Sequence, residues 1–144
     1  MLRAMLANRS MPPGTVIPEL PYPDVRAAAE WLCRAFGFSE RLRIADHRIQ
    51  LLVGDAAIVV VQQRAGSGTG GVMVRVADVD AHHAGAVAAG ARVVGPPTDY
   101  PFGERQYSAL DPGGHRWTFS QSIADVDPAT WGGELVDPKA AAPA

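Results

Sequence analysis

The stretch Asp111-Pro112-Gly113-Gly114-His115-Arg116-Trp117-Thr118-Phe119 decides how this chain is read. Its first four residues make a tight turn, because proline fixes φ and glycine supplies a positive φ. The residues on either side, Arg105 to Leu110 and His115 to Gln121, read as two strands joined by that turn. Working back, a loop with Pro96, Pro97 and Pro101 leads in from a strand over Ala91 to Val94. Before that strand comes a helix over Val79 to Ala89, with Asp78 placed to accept an orphan backbone N–H at its start and Gly90 at its end. Val72 to Val76 reads as a strand in front of the helix. The order is strand, helix, three strands.

The same order stands earlier in the chain. Thr15 to Leu20 reads as a strand, with Pro18 marking an edge or irregular position. Asp24 caps a helix over Val25 to Phe36, whose Val25, Ala28, Trp31, Leu32, Ala35 and Phe36 fall on one face at 3/4 spacing. Gly37 ends it. Strands follow over Phe38 to Ile44, His47 to Val53 and Ala57 to Gln62, the last two joined by a Gly54-Asp55 turn. Asp24 precedes Asp55 by 31 positions and Asp78 precedes Asp111 by 33, while Gly37 and Gly90 lie 13 and 12 residues after their caps. Shared order and spacing identify an internal repeat. The expected fold is α+β: two βαβββ modules with the helices on the outer face of the sheet. A flexible arm is expected over residues 1–14, module one over 15–63, a glycine-rich linker over 64–71, module two over 72–123 and a tail over 124–144. The linker lacks the Lys-Ser/Thr that a phosphate loop needs after its last glycine. Trp131 is expected to anchor the tail.

Bulk properties narrow the function classes. The chain has 144 residues, 47% apolar and 19% charged, enough for one domain with a real core and too apolar for disorder. Its formal net charge of -2 offers no basic face for nucleic acid. No apolar run approaches the ~20 residues of a membrane span. The first ten residues lack the apolar stretch of a signal peptide, and Met11 is an alternative start. The single cysteine, Cys33, rules out an intrachain disulfide, fits a reducing cytoplasm, and falls late in its helix, where a buried structural role is expected.

The segment Tyr100-Pro101-Phe102-Gly103-Glu104-Arg105-Gln106-Tyr107, followed by Asp111 to Phe119, resembles the closing hairpin of the vicinal oxygen chelate superfamily. Glyoxalase I, extradiol dioxygenases, fosfomycin-resistance enzymes and bleomycin-binding proteins belong to it. Tyr22-Pro23-Asp24, Trp31-Leu32 and Phe36-Gly37-Phe38 resemble the start of its first module, and Val74 to Asp80 with Ala89-Gly90-Ala91 the start of its second. The resemblance covers about residues 15 to 123 and is not specific for one activity. It implies a cupped mixed sheet, often completed by a second chain, and hence a homodimer. It also implies where metal-dependent members hold their ion. Those positions fall here at Ile17, Gly71, Thr118 and Val59 or Val60, and divalent metals want imidazole, carboxylate or thiolate groups instead. No metal and no cofactor are therefore expected. Adjacent His82 and His83 point about 100° apart on a helix and cannot chelate together. His115 is expected to make a structural hydrogen bond, and His47 to be exposed near a turn.

Strand alternation suggests what lines the cup. Val74, Val76, Trp117 and Phe119 take the outward apolar phase. Glu19, Met73, Arg75, Arg116, Thr118 and Ser120 then face inward, with Phe102, Arg105 and Tyr107 at the rim. The charges either pair among themselves, Glu19 with an arginine, or orient a small organic ligand, an anionic one among them, since arginine binds carboxylates bidentately. Three functions stay open: a metal-independent binding protein that sequesters a drug or metabolite, a glyoxalase-like lyase, isomerase or dioxygenase, and an accessory interaction module.

Overall fold

The computed structural model describes residues 6–136. The ends of the expected arm and tail, residues 1–5 and 137–144, lie outside the described residues. Two four-stranded mixed sheets carry two helices, giving the α+β architecture of two βαβββ modules in a cupped sheet.

In module one, β1 (Glu19–Tyr22) leads to α1 (Val25–Phe36) and then to β2 (Ser39–Ile44), β3 (Arg48–Val53) and β4 (Ala56–Gln62), in sheet order β1-β4-β3-β2. Asp24 caps α1 by accepting from the Ala27 N–H at 3.0 Å, and Gly37 ends it at φ 79°. The buried face of α1 holds Val25, Ala28, Ala29, Leu32, Ala35 and Phe36, close to the face its periodicity predicts. Trp31 is only half-buried. The first strand starts later than Thr15. Pro18 has no N–H to donate, and the ladder opens where its carbonyl accepts from the Val59 N–H at 2.9 Å. Being an edge strand, β1 tolerates Pro21.

Module two repeats the plan with β5 (Gly71–Arg75), α2 (Val79–Ala88), β6 (Arg92–Tyr100), β7 (Glu104–Leu110) and β8 (Arg116–Ser122), in order β5-β8-β7-β6. Gly71 belongs to β5, so the glycine-rich segment ends one residue early. The expected proline loop after Val94 is strand instead. Pro96 and Pro97 sit in a register shift between Gly95 and Thr98 on an edge strand, where no ladder donor is demanded of them. A 3-10 turn, Pro128–Trp131, packs the tail back: Trp131 lies edge-to-face on Phe102 at 5.5 Å.

One core serves both modules. The helix-facing sides of both sheets and the two helices meet around Leu32, Phe36, Val60, Tyr107, Trp117 and Phe119. Polar ties join the halves inside it. His82 on α2 donates from Nε2 to the Phe36 carbonyl at 2.9 Å and accepts a hydrogen bond from the Tyr107 hydroxyl at Nδ1. Asp111, only 6% exposed, accepts from the Tyr22 hydroxyl, from Trp117 Nε1 at 2.8 Å, and from the backbone N–H groups of Gly113 and His115. His115 reaches the Pro21 carbonyl through Nε2 at 2.7 Å and accepts the Gly70 N–H at Nδ1 at 2.9 Å. The Asp111 to His115 turn is therefore the bolt between the modules, and its histidine is structural.

Candidate functional site

Residues on the sheet faces turned away from the helices are free for other work. In module two, the register Met73↔Thr118, Arg75↔Ser120, Gln106↔Ser120 and Ser108↔Thr118 sets those residues on one face. Their neighbours Trp117, Phe119, Tyr107 and Ala109 point into the core. Thr118 and Ser108 share a hydrogen bond of 2.9 Å. Gln106 donates to Ser120 Oγ at 3.0 Å, and Ser120 donates to Glu104 at 2.6 Å. The Ser120 hydroxyl, with that of Ser122, holds the Glu104 carboxyl below the usual carboxylate range. Met73, Arg75 and Arg116 stand exposed beside this polar row.

In module one the equivalent face carries Glu19, Arg48, Gln50, Val59 and Arg41. Glu19 pairs with Val59 in register and with Arg48 through an ion pair of 2.8 Å. The expected partner was an arginine of the cup; it is Arg48, which sequence reasoning had not singled out. A cavity of about 520 Å³ opens around this pair, lined also by Pro21, His47, Val61 and Arg64. Arg41 donates to Gln50 Oε1 at 2.6 Å.

Between the modules lies a cavity of about 300 Å³, lined mostly by apolar groups such as Val16, Pro18, Ile58, Val72 and Met73, with Arg75 among its walls. Met73 is 65% exposed and Val16 78% exposed, so its mouth is apolar and open. The size is at the lower end of small-molecule sites.

Two expected rim residues lie elsewhere. Tyr107 is 1% exposed and packs in the core on Phe119, its hydroxyl held by His82, and burial pushes its pKa up. Arg105 shares its strand phase and points to the helix side, where Asp80 and Asp99 bind its guanidinium at 3.0 Å and 2.9 Å. Phe102 stacks on Tyr100 at 5.4 Å and supports the tail. The reason is strand alternation: Gln106 and Ser108, not Arg105 and Tyr107, hold the open phase of β7, and pairing β7 with β8 across the turn places Ser108 opposite Thr118.

The positions where metal-dependent relatives hold an ion do not fit one here. Gly71 has no side chain, Ile17 and Val59 are aliphatic, and Thr118 is engaged with Ser108. Among the described residues no three His, Cys, Asp or Glu side chains converge. No helix among them is long and apolar enough to cross a membrane.

A family model described as the Glyoxalase/Bleomycin resistance protein/Dioxygenase superfamily matches residues 15–119. Among solved structures, TioX from Micromonospora sp. ML1 is 35% identical, covers 76% of this chain and 99% of its own, and superposes with a TM-score of 0.69. TnmS3, an antibiotic binding protein from Streptomyces sp. CB03234, is 24% identical over 74% of this chain and 93% of its own, with a TM-score of 0.63. Lactoylglutathione lyase from Agrobacterium tumefaciens is 18% identical over 78% of this chain and 97% of its own, with a TM-score of 0.65. No curated protein matches the chain in sequence. The last two structures share the fold alone.

Proposed function

Since the chain belongs to the glyoxalase/bleomycin resistance protein/dioxygenase superfamily, we propose that it is a metal-independent binding protein for a small organic ligand, of the drug- or metabolite-sequestering kind. The observation that carries this reading is the intermodule cavity, with mostly apolar walls, Asp55 and the exposed Arg75 among its lining, and Arg75 in register with Ser120 of the polar row on β7 and β8. Apolar walls with few convergent polar groups suit an organic molecule of modest size, and arginine favours one with a carboxylate or another planar anion. Met73, Arg75, Thr118 and Ser120 are the contacts proposed for module two, with Arg116 at the edge and Glu19 across the cup. Glu19 is tied to Arg48, which argues against a free general base there. The description of TnmS3 as an antibiotic binding protein supports the same class of role.

The protein is proposed to act as a homodimer in the cytoplasm. An open, apolar cavity mouth at Val16 and Met73 supports a second chain as its cover. Calorimetry against a panel of drug-like and metabolite anions tests the ligand reading: saturable binding is expected, and Arg75→Ala should weaken it about tenfold, the cost of one charge-assisted hydrogen bond. Binding by the wild type that Arg75→Ala leaves unchanged would place the ligand elsewhere. Stoichiometric zinc, nickel, manganese or iron in purified protein would overturn metal independence. Light scattering in solution reads the dimer directly.

A further inference from the structure

The open face of module one is partly occupied by the chain itself. Residues expected as a loose arm make defined contacts with it. A small turn, closed by Met11 N–H to the Asn8 carbonyl at 3.2 Å and Ser10 N–H to Asn8 Oδ1 at 3.0 Å, presents two successive carbonyls to the sheet. Arg41 Nη2 donates to the Arg9 carbonyl at 2.9 Å, and Gln50 Nε2 donates to the Ser10 carbonyl at 2.9 Å. Pro12 is buried, while Asn8 to Met11 are exposed. Gln50 is 4% exposed, so its amide sits where an acceptor is required.

Both hydrogen bonds to the sheet go to backbone carbonyls, and the buried Pro12 adds packing beside them. The exposed side chains of Arg9 and Ser10 make no hydrogen bond to the sheet, so the two donors read paired carbonyls and not a residue type. Arg41 and Gln50 are themselves linked at 2.6 Å, which fixes both donors in one geometry. A rigid pair of donors held for carbonyls, with only a short piece of chain in place, is a site another carbonyl-bearing molecule can enter by exchange.

We propose that Arg41 and Gln50 form a binding site for an amide-rich organic molecule, and that residues 8–12 fill it as a built-in competitor. The proposal rests on the binding function given above and adds to the contacts proposed there a second contact region, on the open face of module one. Entry of a ligand releases the arm, so arm position reports occupancy.

Trypsin cleavage after Arg9 in the full chain, followed by mass spectrometry, tests this. Losing one of two such hydrogen bonds should speed cleavage about tenfold in Arg41→Ala and in Gln50→Ala, with Arg41→Lys between them and the wild type. Millimolar amidated peptide of residues 6–13 carrying Arg9→Ala should speed cleavage of the wild-type chain severalfold by displacing the arm, and should have no effect on Gln50→Ala. Unchanged cleavage in the alanine variants, with near-ultraviolet circular dichroism native, overturns the proposal. So does a peptide without effect on the wild type, which decides the matter if either variant misfolds. A peptide without effect beside a ligand found by calorimetry removes this site and leaves the binding function standing. A peptide effect without any panel ligand supports this site and counts against the panel's ligand class.

Discussion

Replacing Asp111 with alanine should be among the most damaging single changes in this chain. The carboxylate has four donors around it: the Tyr22 hydroxyl, Trp117 Nε1, and the N–H groups of Gly113 and His115. Tyr22 and Trp117 are both 0% exposed, so neither finds bulk water when the acceptor leaves. Each buried donor stranded this way costs about 1–3 kcal/mol. Counting the two side-chain donors and the buried His115 N–H, and subtracting the relief from no longer desolvating a carboxylate, the net loss is about 3–4 kcal/mol. A domain of this size loses roughly 3–5 °C of melting temperature per kcal/mol, so calorimetry should show a fall of about 10–15 °C. Tyr22→Phe alone removes one donor from a site that keeps three and should cost about 1 kcal/mol. In the Asp111→Ala background the same change should be close to neutral or stabilising, because it removes an orphaned hydroxyl. Additive losses in that double-mutant cycle, or a fall under about 3 °C for Asp111→Ala, would refute the claim that this cluster bolts the modules together.

Other expectations follow from neighbouring geometry. Burial holds the His82 pKa below the ordinary histidine value, with the Phe36 carbonyl only partly opposing it. A depressed histidine stabilises the fold fully above the unfolded-state pKa near 6.5 and loses that contribution as pH falls below it. Denaturant melts from pH 7.5 to 5 should therefore show stability declining with acid, by at most about 1.4 kcal/mol per pH unit for this one group, and a shallower decline in His82→Gln. Gly113→Ala would set a Cβ 2.7 Å from the buried Tyr22 ring and should cost about 2 kcal/mol or more, read by chemical denaturation. Breaking the half-exposed Glu19–Arg48 pair with Glu19→Gln should change stability by less than about 1 kcal/mol, so any large effect on ligand affinity would belong to binding and not to folding.

The helices were legible because their signals are local. Asp24, Asp78, Gly37 and Gly90 act on the few backbone groups beside them, and the predicted ends hold within a residue or two. The hairpin turn at Asp111 was equally plain, though its carboxylate's four donors were not, since Tyr22 lies 89 residues away. Strand ends were less legible where proline intervened. Pro18 delays β1, and Pro96 with Pro97 interrupts the pairing of β6 without ending the strand. Alternation gave the open phase of β8 correctly, and Thr118 and Ser120 face away from the helices. The phase of β7 depends on its register with β8: Tyr107↔Phe119 sends Tyr107 into the core and brings Gln106 and Ser108 forward. The role of Gln50 and Arg41 had no local signature at all. A glutamine and an arginine on neighbouring strands look like solvated polar positions until a distant segment of chain is seen lying on them.

The bolt at Asp111 has a consequence for how the chain is made. At synthesis rates of about 5–20 residues per second, Tyr22 waits on the order of 5–20 seconds for a partner 89 residues further along. During that interval a nascent first module has its α1 and β4 but no carboxylate for a tyrosine that belongs in a dry interior. The first half should therefore stay loosely closed on the ribosome and become native only when β8 arrives. A fragment ending near residue 63 would be a client for chaperones, and cutting the gene between its two repeats would yield halves that fold together or not at all.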